Sequence, residues 1–440
     1  MQPSYLISLP KDVYLKSIFL YVEPSQLDKY CLINDEIHQW CRNPENIEVY
    51  LRLRGYPRLM INISIGLFWA AEVGSQMLVN YFISRGATQY NLTAAIAAKH
   101  GHQTILDQML NLIIDKGLNV RYEYILTQAA AGGQLQIIKQ IMQLDRKSKR
   151  IIGIEDINAA MIQAAKNAHE EVVELMLEFD AYQYPQAMIA AAEGGSLNIV
   201  IKMLDKMSHY PTESKIYTYN QTLDTAAKGG YKSIVDLMLT LGANDYVTAM
   251  IAAASSGNKT VFDQMLKLAR GDDKTPLSML DYNQVMLAAG ANGHLDIMLQ
   301  MIDLGADDLI TTMIAAAVNG YQNIINFLLA LAKDREMELT AYHFNFIMNA
   351  AAKGGYLNIV EQMLTVGADD YNQSLVSAAE RGNIEIVDLM LKLGADSYEN
   401  SLFNAEEAGY QDVINLIIYF KVEKLSDQQS RIEEMSQIVD

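Results

Sequence analysis

The sequence predicts an all-α protein built as a helical-repeat solenoid. Three observations support this fold class. At twelve places along the 440 residues an Ala is followed, four positions later, by a residue that stops a helix. An amphipathic helical stretch precedes each of these sites, and a second one follows it. Such a fixed internal register indicates an array of one repeated unit whose neighbours bury each other's apolar faces.

The helix-stopping residue, called here the register residue, marks the end of the first helix of each unit. It is Gly in every copy but one. Gly can adopt the left-handed conformation that ends a helix, and the small Ala before it allows a neighbouring helix to approach closely. The register residues are Gly74, Gly101, Gly133, Ala168, Gly195, Gly230, Gly257, Gly293, Gly320, Gly355, Gly382 and Gly409. Repeat-defining pairs include Ala97 and Gly101, Ala191 and Gly195, Ala226 and Gly230, Ala351 and Gly355, and Ala378 and Gly382.

A large apolar residue, most often Tyr, lies eleven positions before each register residue. Several of these Tyr are followed by Asn, as in Tyr90-Asn91 and Tyr371-Asn372. The pairing predicts a helix start, with Asn as the N-cap and the preceding apolar residue as a hydrophobic staple. A ladder of Tyr that binds a ligand is the alternative, but the position at every helix start favours a structural role.

The second helix carries its apolar residues on one face. An aliphatic residue lies four positions past the register, and pairs such as Met109-Leu110 and Met363-Leu364 lie eight and nine positions past it. This spacing places all of these side chains on one face of an α-helix. The Met residues could line an adaptable binding groove, but their inward phase favours a role in the core.

Units of two lengths alternate. From Ala168 to Gly382 the register residues are separated by 27 and then by 35 or 36 residues. Short units end with Gly-Ala, as in Gly305-Ala306, whereas long units carry polar insertions. The insertions span residues 145–156, 206–218, 268–280 and 332–343. Insertions in a solenoid map to one face, often the binding face, so they are the candidate partner surface.

The repeated unit resembles the ankyrin repeat, most clearly in residues 351–369 and 378–396. The resemblance covers residues 61–420 and implies about twelve helix pairs. Two features depart from the family: Tyr-Asn replaces its Thr-Pro-Leu-His opening, and the short units lack residues for a full β-hairpin finger. The resemblance therefore implies shortened fingers. His294 follows Gly293, where ankyrin units place a His for hydrogen bonds between loops.

Residues 1–60 show a different pattern, which predicts three short helices that follow Pro10, Pro24-Ser25 and Asn43-Pro44. This segment resembles the F-box, the module by which substrate adaptors bind Skp1 in cullin–RING ubiquitin ligases. One departure is that Leu9 to Ile18 is one residue longer than the usual spacing. A plain cap over the apolar face of the first repeat is the alternative. The resemblance implies contact with a Skp1-like partner through Leu9, Pro10, Val13, Ile18, Tyr21 and Leu27.

Composition sets limits on partners and compartment. The net charge of −18 argues against nucleic acid and anionic membrane as partners. The basic run at residues 146–150 could direct nuclear import, although a solvated loop is favoured. No apolar run is long enough to span a membrane, and charged residues near the N-terminus argue against a signal peptide. Two cysteines suit a reducing compartment, so a cytoplasmic monomer is expected, in the host cytoplasm if the protein is viral.

Nothing in the sequence predicts an enzyme, a cofactor or a metal site. No phosphate-binding loop, nucleophile elbow or paired-carboxylate motif is present. Cys31, His38 and Cys41 could be considered as zinc ligands, but a fourth ligand at suitable spacing is missing. A role in helical packing is favoured for all three.

The predicted organisation is an F-box-like domain at 1–60, the repeat array at 61–420 and a polar tail at 421–440, either a loose helix or disordered. This order resembles that of ankyrin proteins encoded by giant DNA viruses of protists. It implies the substrate-recognition subunit of a Skp1–cullin ubiquitin ligase, with the target protein captured on the solenoid. The alternative is a non-catalytic scaffold or decoy that sequesters a host protein.

Overall fold

The computed structural model describes residues 22–31, 41, 43–56, 59, 62–147, 152–271 and 277–439. These residues form α-helices joined by short loops, and no strand occurs among them. The prediction of an all-α helical-repeat fold is confirmed.

Two short helices precede the repeats. A 3-10 helix at Pro24–Gln26 leads into α1 (Leu27–Tyr30), and α2 spans Pro44–Leu53. The side chain of Asn43 accepts a hydrogen bond from the backbone N–H of Glu45 at 3.0 Å and so caps α2. Both helices contact the second helix of the first repeat. The helix predicted after Pro10 lies outside the described residues.

Twelve helix pairs follow. The first helices of the pairs are α3 (Ile63–Val73), α5 (Tyr90–Lys99), α7 (Tyr122–Ala131), α9 (Ile154–Lys166), α11 (Tyr184–Glu193), α13 (Thr212–Gly229), α15 (Tyr246–Ser256), α17 (Met279–Ala291), α19 (Leu309–Val318), α21 (Ala341–Gly354), α23 (Tyr371–Arg381) and α25 (Tyr398–Ala408). The second helices are α4 (Gln76–Ser84), α6 (Gln103–Asp115), α8 (Leu135–Lys147), α10 (Glu170–Glu178), α12 (Leu197–Lys206), α14 (Lys232–Thr240), α16 (Lys259–Ala269), α18 (Leu295–Asp303), α20 (Gln322–Asp334), α22 (Leu357–Thr365), α24 (Ile384–Lys392) and α26 (Gln411–Val439).

Each register residue ends a first helix in the left-handed conformation, as predicted. Their φ angles are positive throughout, from 59° at Ala168 to 84° at Gly355. The Ala four positions earlier has no exposed surface in any of the twelve units. These Ala include Ala97, Ala191, Ala226, Ala351 and Ala378, which precede Gly101, Gly195, Gly230, Gly355 and Gly382.

The core lies between the first and second helices of each pair. Met109 and Met363 are fully buried there, so the Met residues of the second helices are core residues. Tyr90 and Tyr122, at the starts of α5 and α7, are also buried, which fits the structural role expected for the Tyr positions. Tyr219 is buried as well, but it lies inside α13 and not at its start.

The chain divides into two compact units, with the boundary between Thr218 and Tyr219 inside α13. In the first unit, α3, α5, α7, α9 and α11 pack in sequence, each against the next. In the second unit, α15, α17, α19, α21, α23 and α25 do the same. Each unit is therefore a stack of helix pairs, with the first helices in one layer and the second helices in the other.

The insertions of the long units lengthen the helices that flank them. α13 has 18 residues and α21 has 14, whereas α22 has nine. The last helix, α26, runs for 29 residues and crosses the boundary expected at residue 420. The predicted polar tail therefore begins inside a helix. None of the described helices is both long and apolar enough to cross a bilayer.

Cys31 and Cys41 form a disulfide, with 5.9 Å between their Cα atoms. Disulfides are typical of oxidising compartments. The number of cysteines alone did not show that two thiols ten residues apart come together, and the compartment itself stays a prediction. The bond also removes both sulfurs from the zinc site that the sequence left as an alternative.

Candidate partner-binding surface

In nine units, the residue after the register residue covers the register Gly of the preceding unit. Asn383 is an example: its Nδ2 donates to the carbonyl oxygens of Ala352 at 2.7 Å and Lys353 at 3.2 Å. A Cβ on Gly355 would lie only 2.8 Å from Asn383 Oδ1. The same relation joins His102 to Gly74, Gln134 to Gly101, His169 to Gly133, Asn258 to Gly230, His294 to Gly257, Tyr321 to Gly293, Tyr356 to Gly320 and Tyr410 to Gly382. Gly thus suits the positive φ angle and also leaves room for the covering side chain, which an added Cβ would displace.

A second contact between units comes from the Asn expected to cap the first helices. Asn283 Oδ1 accepts hydrogen bonds from the backbone N–H groups of Asp307 at 2.8 Å and Asp308 at 3.1 Å, in the loop before the next first helix. The N-cap prediction is therefore wrong, since this Asn holds the following unit instead. The same clamp is made by Asn158, Asn220, Asn345 and Asn372. The Asn and the first backbone N–H that it holds are 24 residues apart in the chain. The contact therefore depends on how neighbouring units stack, which the local sequence does not show.

The clamps fix the Gly-Ala-Asp segments at the surface. Ala306 is fully buried, whereas the side chain of Asp307 next to it is exposed. Asp308 then caps α19 by accepting from the backbone N–H of Thr311 at 3.2 Å. Asp369 and Asp370 repeat this arrangement before α23. Within the described part of the chain, none of these four Asp forms an ion pair.

The polar side chains on the second helices bond mainly to one another. In the second unit, Gln362 donates to Asn326 at 2.9 Å, Asn358 donates to Gln322 at 2.8 Å, and Gln322 is also bonded to Gln362. A partner would have to compete with these hydrogen bonds. This surface is therefore a poor candidate for recognition.

The first helices of the second unit present a different surface, centred on α21. Tyr342 is 66% exposed and Phe346 is 44% exposed, and their rings meet edge to face with 4.7 Å between centroids. Asn349 follows on the same side of the helix, and its Oδ1 is buried with no hydrogen-bond partner among the described residues. We call Tyr342, Phe346 and Asn349 the α21 face.

Apolar side chains continue from the α21 face onto the neighbouring first helices. Val318 on α19 is 40% exposed, and Leu280 on α17 is 65% exposed. Ile314 on α19 and Val376 on α23 are half-buried. The exposed side of these stacked helices is a semi-apolar strip. Exposed apolar surface of this kind is typical of interaction sites.

One carboxyl group on the layer of first helices, that of Asp224, is less easily ionised than usual. Burial raises the pKa of Asp224 on α13 above its ordinary value of 3.8, and the nearby Asp245 raises it further. Lys228, one turn along the helix, acts in the opposite direction. Ionised Asp224 therefore opposes folding.

The residues predicted to contact a Skp1-like partner fall into two groups. Leu9, Pro10, Val13, Ile18 and Tyr21 lie outside the described residues. Leu27 has no exposed surface. The next residue, Asp28, accepts hydrogen bonds from the backbone N–H groups of Gln76 at 2.6 Å and Met77 at 3.1 Å, at the start of α4. The described part of the N-terminal segment thus covers and caps the first repeat.

The α21 face was not singled out from the sequence, although a signal was present. The insertion at 332–343 contains Tyr342, so the expected surface and the observed one overlap at this residue. Phe346 lies nine residues before its register Gly, a position held in the other units of this stretch by Thr248, Gln284, Thr311 and Gln373. An aromatic residue among polar equivalents marks the site. The described residues hold no His, Cys, Asp and Glu cluster suited to a metal ion.

These features define a helical-repeat protein with an exposed semi-apolar strip. No protein-family model matches the chain, and no curated protein is significantly similar to it. Among solved structures, the pentatricopeptide repeat protein PPR10 in complex with an 18-nt psaJ RNA element is 14% identical. The match covers 93% of this chain and 67% of that one, with a TM-score of 0.38. PPR10 from maize is 12% identical, with 94% and 73% covered and a TM-score of 0.31.

The exclusion of nucleic acid as a partner needs correction. PPR10 is a helical-repeat protein whose structure contains bound RNA, which contradicts that exclusion. A net charge sums over the whole surface, whereas phosphate binding depends on local groups. The likeness is too distant to assign RNA, or any other partner, to this chain.

Proposed function

We propose that the chain is a non-catalytic interaction adaptor that captures a protein on the first helices of its second unit. The α21 face carries this proposal. It combines two exposed aromatic rings with a buried acceptor that lacks a partner, whereas the second helices satisfy their own polar groups. Aromatic residues are enriched in the cores of protein interfaces, and interface polar atoms are normally paired on binding.

The array is proposed to be ankyrin-like. Support comes from the left-handed register Gly, the buried Ala before it, and the His or Asn that bonds back to the preceding unit, as His169 does to the carbonyl oxygen of Ala131 at 3.1 Å. The described residues between the units form short turns where ankyrin units have a finger. Capture would then depend on the helices rather than on fingers.

Residues 1–60 are proposed to provide a second connection, to a Skp1-like adaptor, which would make the chain a substrate receptor for a cullin–RING ubiquitin ligase. Support comes from the F-box resemblance. The contacts would be made by Leu9, Pro10, Val13, Ile18 and Tyr21. The burial of Leu27 and the hydrogen bonds of Asp28 instead favour a capping role for the described part of this segment. The rival proposal is therefore a scaffold or decoy that does not recruit a ligase.

Affinity capture tests the first proposal. The full chain would be immobilised beside a Tyr342→Ser, Phe346→Ser variant and a control in which two exposed aromatics elsewhere are changed, Tyr124→Ser in the first unit with Tyr419→Ser on α26. We expect to recover proteins that bind the wild type and the control but do not bind the α21 variant. Equal retention by all three would contradict the proposal, and loss of the bound material after nuclease treatment would identify RNA as the partner instead.

Co-purification with Skp1 and cullin tests the second proposal. The full chain and a Val13→Asp, Ile18→Asp variant would be compared, with thermal unfolding of both to exclude loss of the fold. We expect Skp1 to be retained by the wild type only. If the wild type fails to retain Skp1 where a known F-box protein does, the ligase proposal should be dropped in favour of the scaffold.

A further inference from the structure

We infer that the α21 face, together with the Asp pairs on either side of it, binds a basic segment of the partner protein that carries Arg or Lys residues around an apolar side chain. This inference rests on the proposed function and names the chemistry of the captured partner. Three features support it: the hydrogen-bonding groups of the surface, its exposed aromatic rings, and the distance between the two Asp pairs.

The charged groups that this surface leaves without an ion pair are carboxylates, which are acceptors. Asn349 Oδ1 is buried and unpaired, and the carboxylates of Asp307 and Asp369 can only accept. The amide donor of Asn345 is already used, since its Nδ2 donates to Asp369 Oδ1 at 2.9 Å. The one cation on this side of α21, Lys353, is paired with Glu380 at 3.0 Å. A ligand that satisfies the surface must therefore bring donors.

The charges of the neighbouring loop do not reverse this polarity. The segment before α21 carries Lys333 and Arg335, but it also carries Asp334, Glu336 and Glu338. The four carboxylates of Asp307, Asp308, Asp369 and Asp370 form no ion pair within the residues that the structure describes. Guanidinium and ammonium groups form stronger hydrogen bonds to carboxylates than neutral donors do.

The exposed rings suit the same ligand. Tyr342 and Phe346 expose ring surface between the two Asp pairs, and a guanidinium over such a ring is attracted by its negative face. The stem of an Arg or a neighbouring apolar side chain would cover the half-buried Ile314 and Val376. An acidic segment would be repelled by the Asp pairs, and an uncharged one would form weaker hydrogen bonds with them.

The spacing sets the length of the bound segment. α19 and α23 flank α21, and packed helices lie about 8–10 Å apart. The two Asp pairs are therefore roughly 16–20 Å apart, a distance that an extended chain covers with about five or six residues. A peptide with two basic clusters separated by that number of residues, and one apolar residue between them, fits the surface.

The test is fluorescence anisotropy with the full chain and a labelled peptide that carries two Arg-Arg pairs separated by five residues, with Leu at the centre. A matched peptide with Glu in place of every Arg is the first control. We expect the Arg peptide to bind, with affinity that falls as salt increases, and the Glu peptide not to bind. Equal binding of the two peptides would overturn the inference, and so would RNA that binds this surface and displaces the Arg peptide.

Variants locate the binding. Asp307→Asn with Asp369→Asn keeps the size of both side chains, and the loss of two charge-assisted hydrogen bonds is expected to weaken binding about tenfold. Glu385→Gln with Asp412→Asn removes the same charge from exposed positions elsewhere and should leave binding unchanged. An equal loss in both double variants would mean attraction to net charge only and would overturn the site. If captured proteins depend on Tyr342 and Phe346 but the Arg peptide does not bind, the adaptor function stands and this inference fails.

Discussion

Asn383 lies over Gly355 and donates a hydrogen bond to the carbonyl oxygen of Ala352 at 2.7 Å. The end of one first helix is thus completed by a side chain of the following unit. The register Gly has two physical roles here, because its φ is 84° and because a Cβ would meet Asn383.

Gly355→Ala should lower the free energy of unfolding by more than Gly409→Ala does. Both residues have positive φ, which costs an L-residue about 1–2 kcal/mol. Only Gly355 has a neighbour within 4 Å of the added Cβ, so the difference between the variants measures the contact. Urea unfolding provides both values. Equal losses would show that Asn383 moves aside without cost.

Ala168→Gly should stabilise the protein. Ala168 is a register residue whose φ is 59°, a conformation that Gly adopts without strain. The relief is partly offset because Gly makes the unfolded chain more flexible, so a net gain of about 0.5–1 kcal/mol is expected. Thermal unfolding measures it. Ala164→Gly, in the helix itself, is the control and should destabilise.

Asn283→Ala should cost about 1–2 kcal/mol, because two backbone N–H groups lose their acceptor. Hydrogen exchange at Asp307 and Asp308 should accelerate more than in the rest of the second unit. Asn292→Ala is a matched control, since Asn292 donates only to the carbonyl of Ala288 in its own helix at 2.9 Å. Unchanged exchange at the two Asp amides would contradict the clamp.

Asp224→Asn should raise stability at neutral pH but not in acid. The pKa of Asp224 is raised in the folded protein, first by burial and then by Asp245. A raised carboxyl pKa opposes folding above the folded pKa, and the penalty disappears once pH falls below the ordinary value of 3.8. The gain should therefore be present at pH 7 and vanish as pH falls through this range. Melting temperatures at several pH values would check this, and a gain that does not depend on pH would point to packing instead.

Reduction of the Cys31–Cys41 disulfide should destabilise the N-terminal segment. A bond that closes a loop of ten residues contributes about 2.5 kcal/mol through the entropy of the unfolded chain. Unfolding in the presence and absence of reductant measures the effect, and a Cys31→Ala, Cys41→Ala variant should show no response to reductant. Two reactive thiols in the unreduced native protein would contradict the bond.

The parts of the fold that the sequence predicted are those governed by spacing within one unit. The stop at Gly382 and the burial of Ala378 and Met363 depend on helical periodicity, which can be read directly. The role of Asn283 depends on a loop 24 residues away, so local rules assigned it to the wrong helix. The disulfide likewise depends on how the chain folds between its cysteines.

The candidate site was partly predictable. Insertions pointed to the region of Tyr342, but the exposure of Phe346 and the unpaired Asn349 Oδ1 follow from how α19, α21 and α23 stack. The proposed Skp1 contacts stay predictions.

The Asn clamps have a consequence for how such a chain can change in length. Asn220 holds residues 244–245 and Asn283 holds residues 307–308, so each of these two clamps joins a short unit to the long unit after it. Removal of residues 231–293 would join Gly230 to His294 and bring Asn220 to the place that Asn283 occupies before Asp307. Whole blocks of one short and one long unit can therefore be lost or duplicated there with every clamp restored, whereas loss of one unit of such a block leaves a clamp broken. Asn345 and Asn372 clamp in consecutive short units, so at that end of the array a single unit can be lost in the same way. Where short and long units alternate, the clamps thus make the pair of units the smallest block that can be exchanged intact.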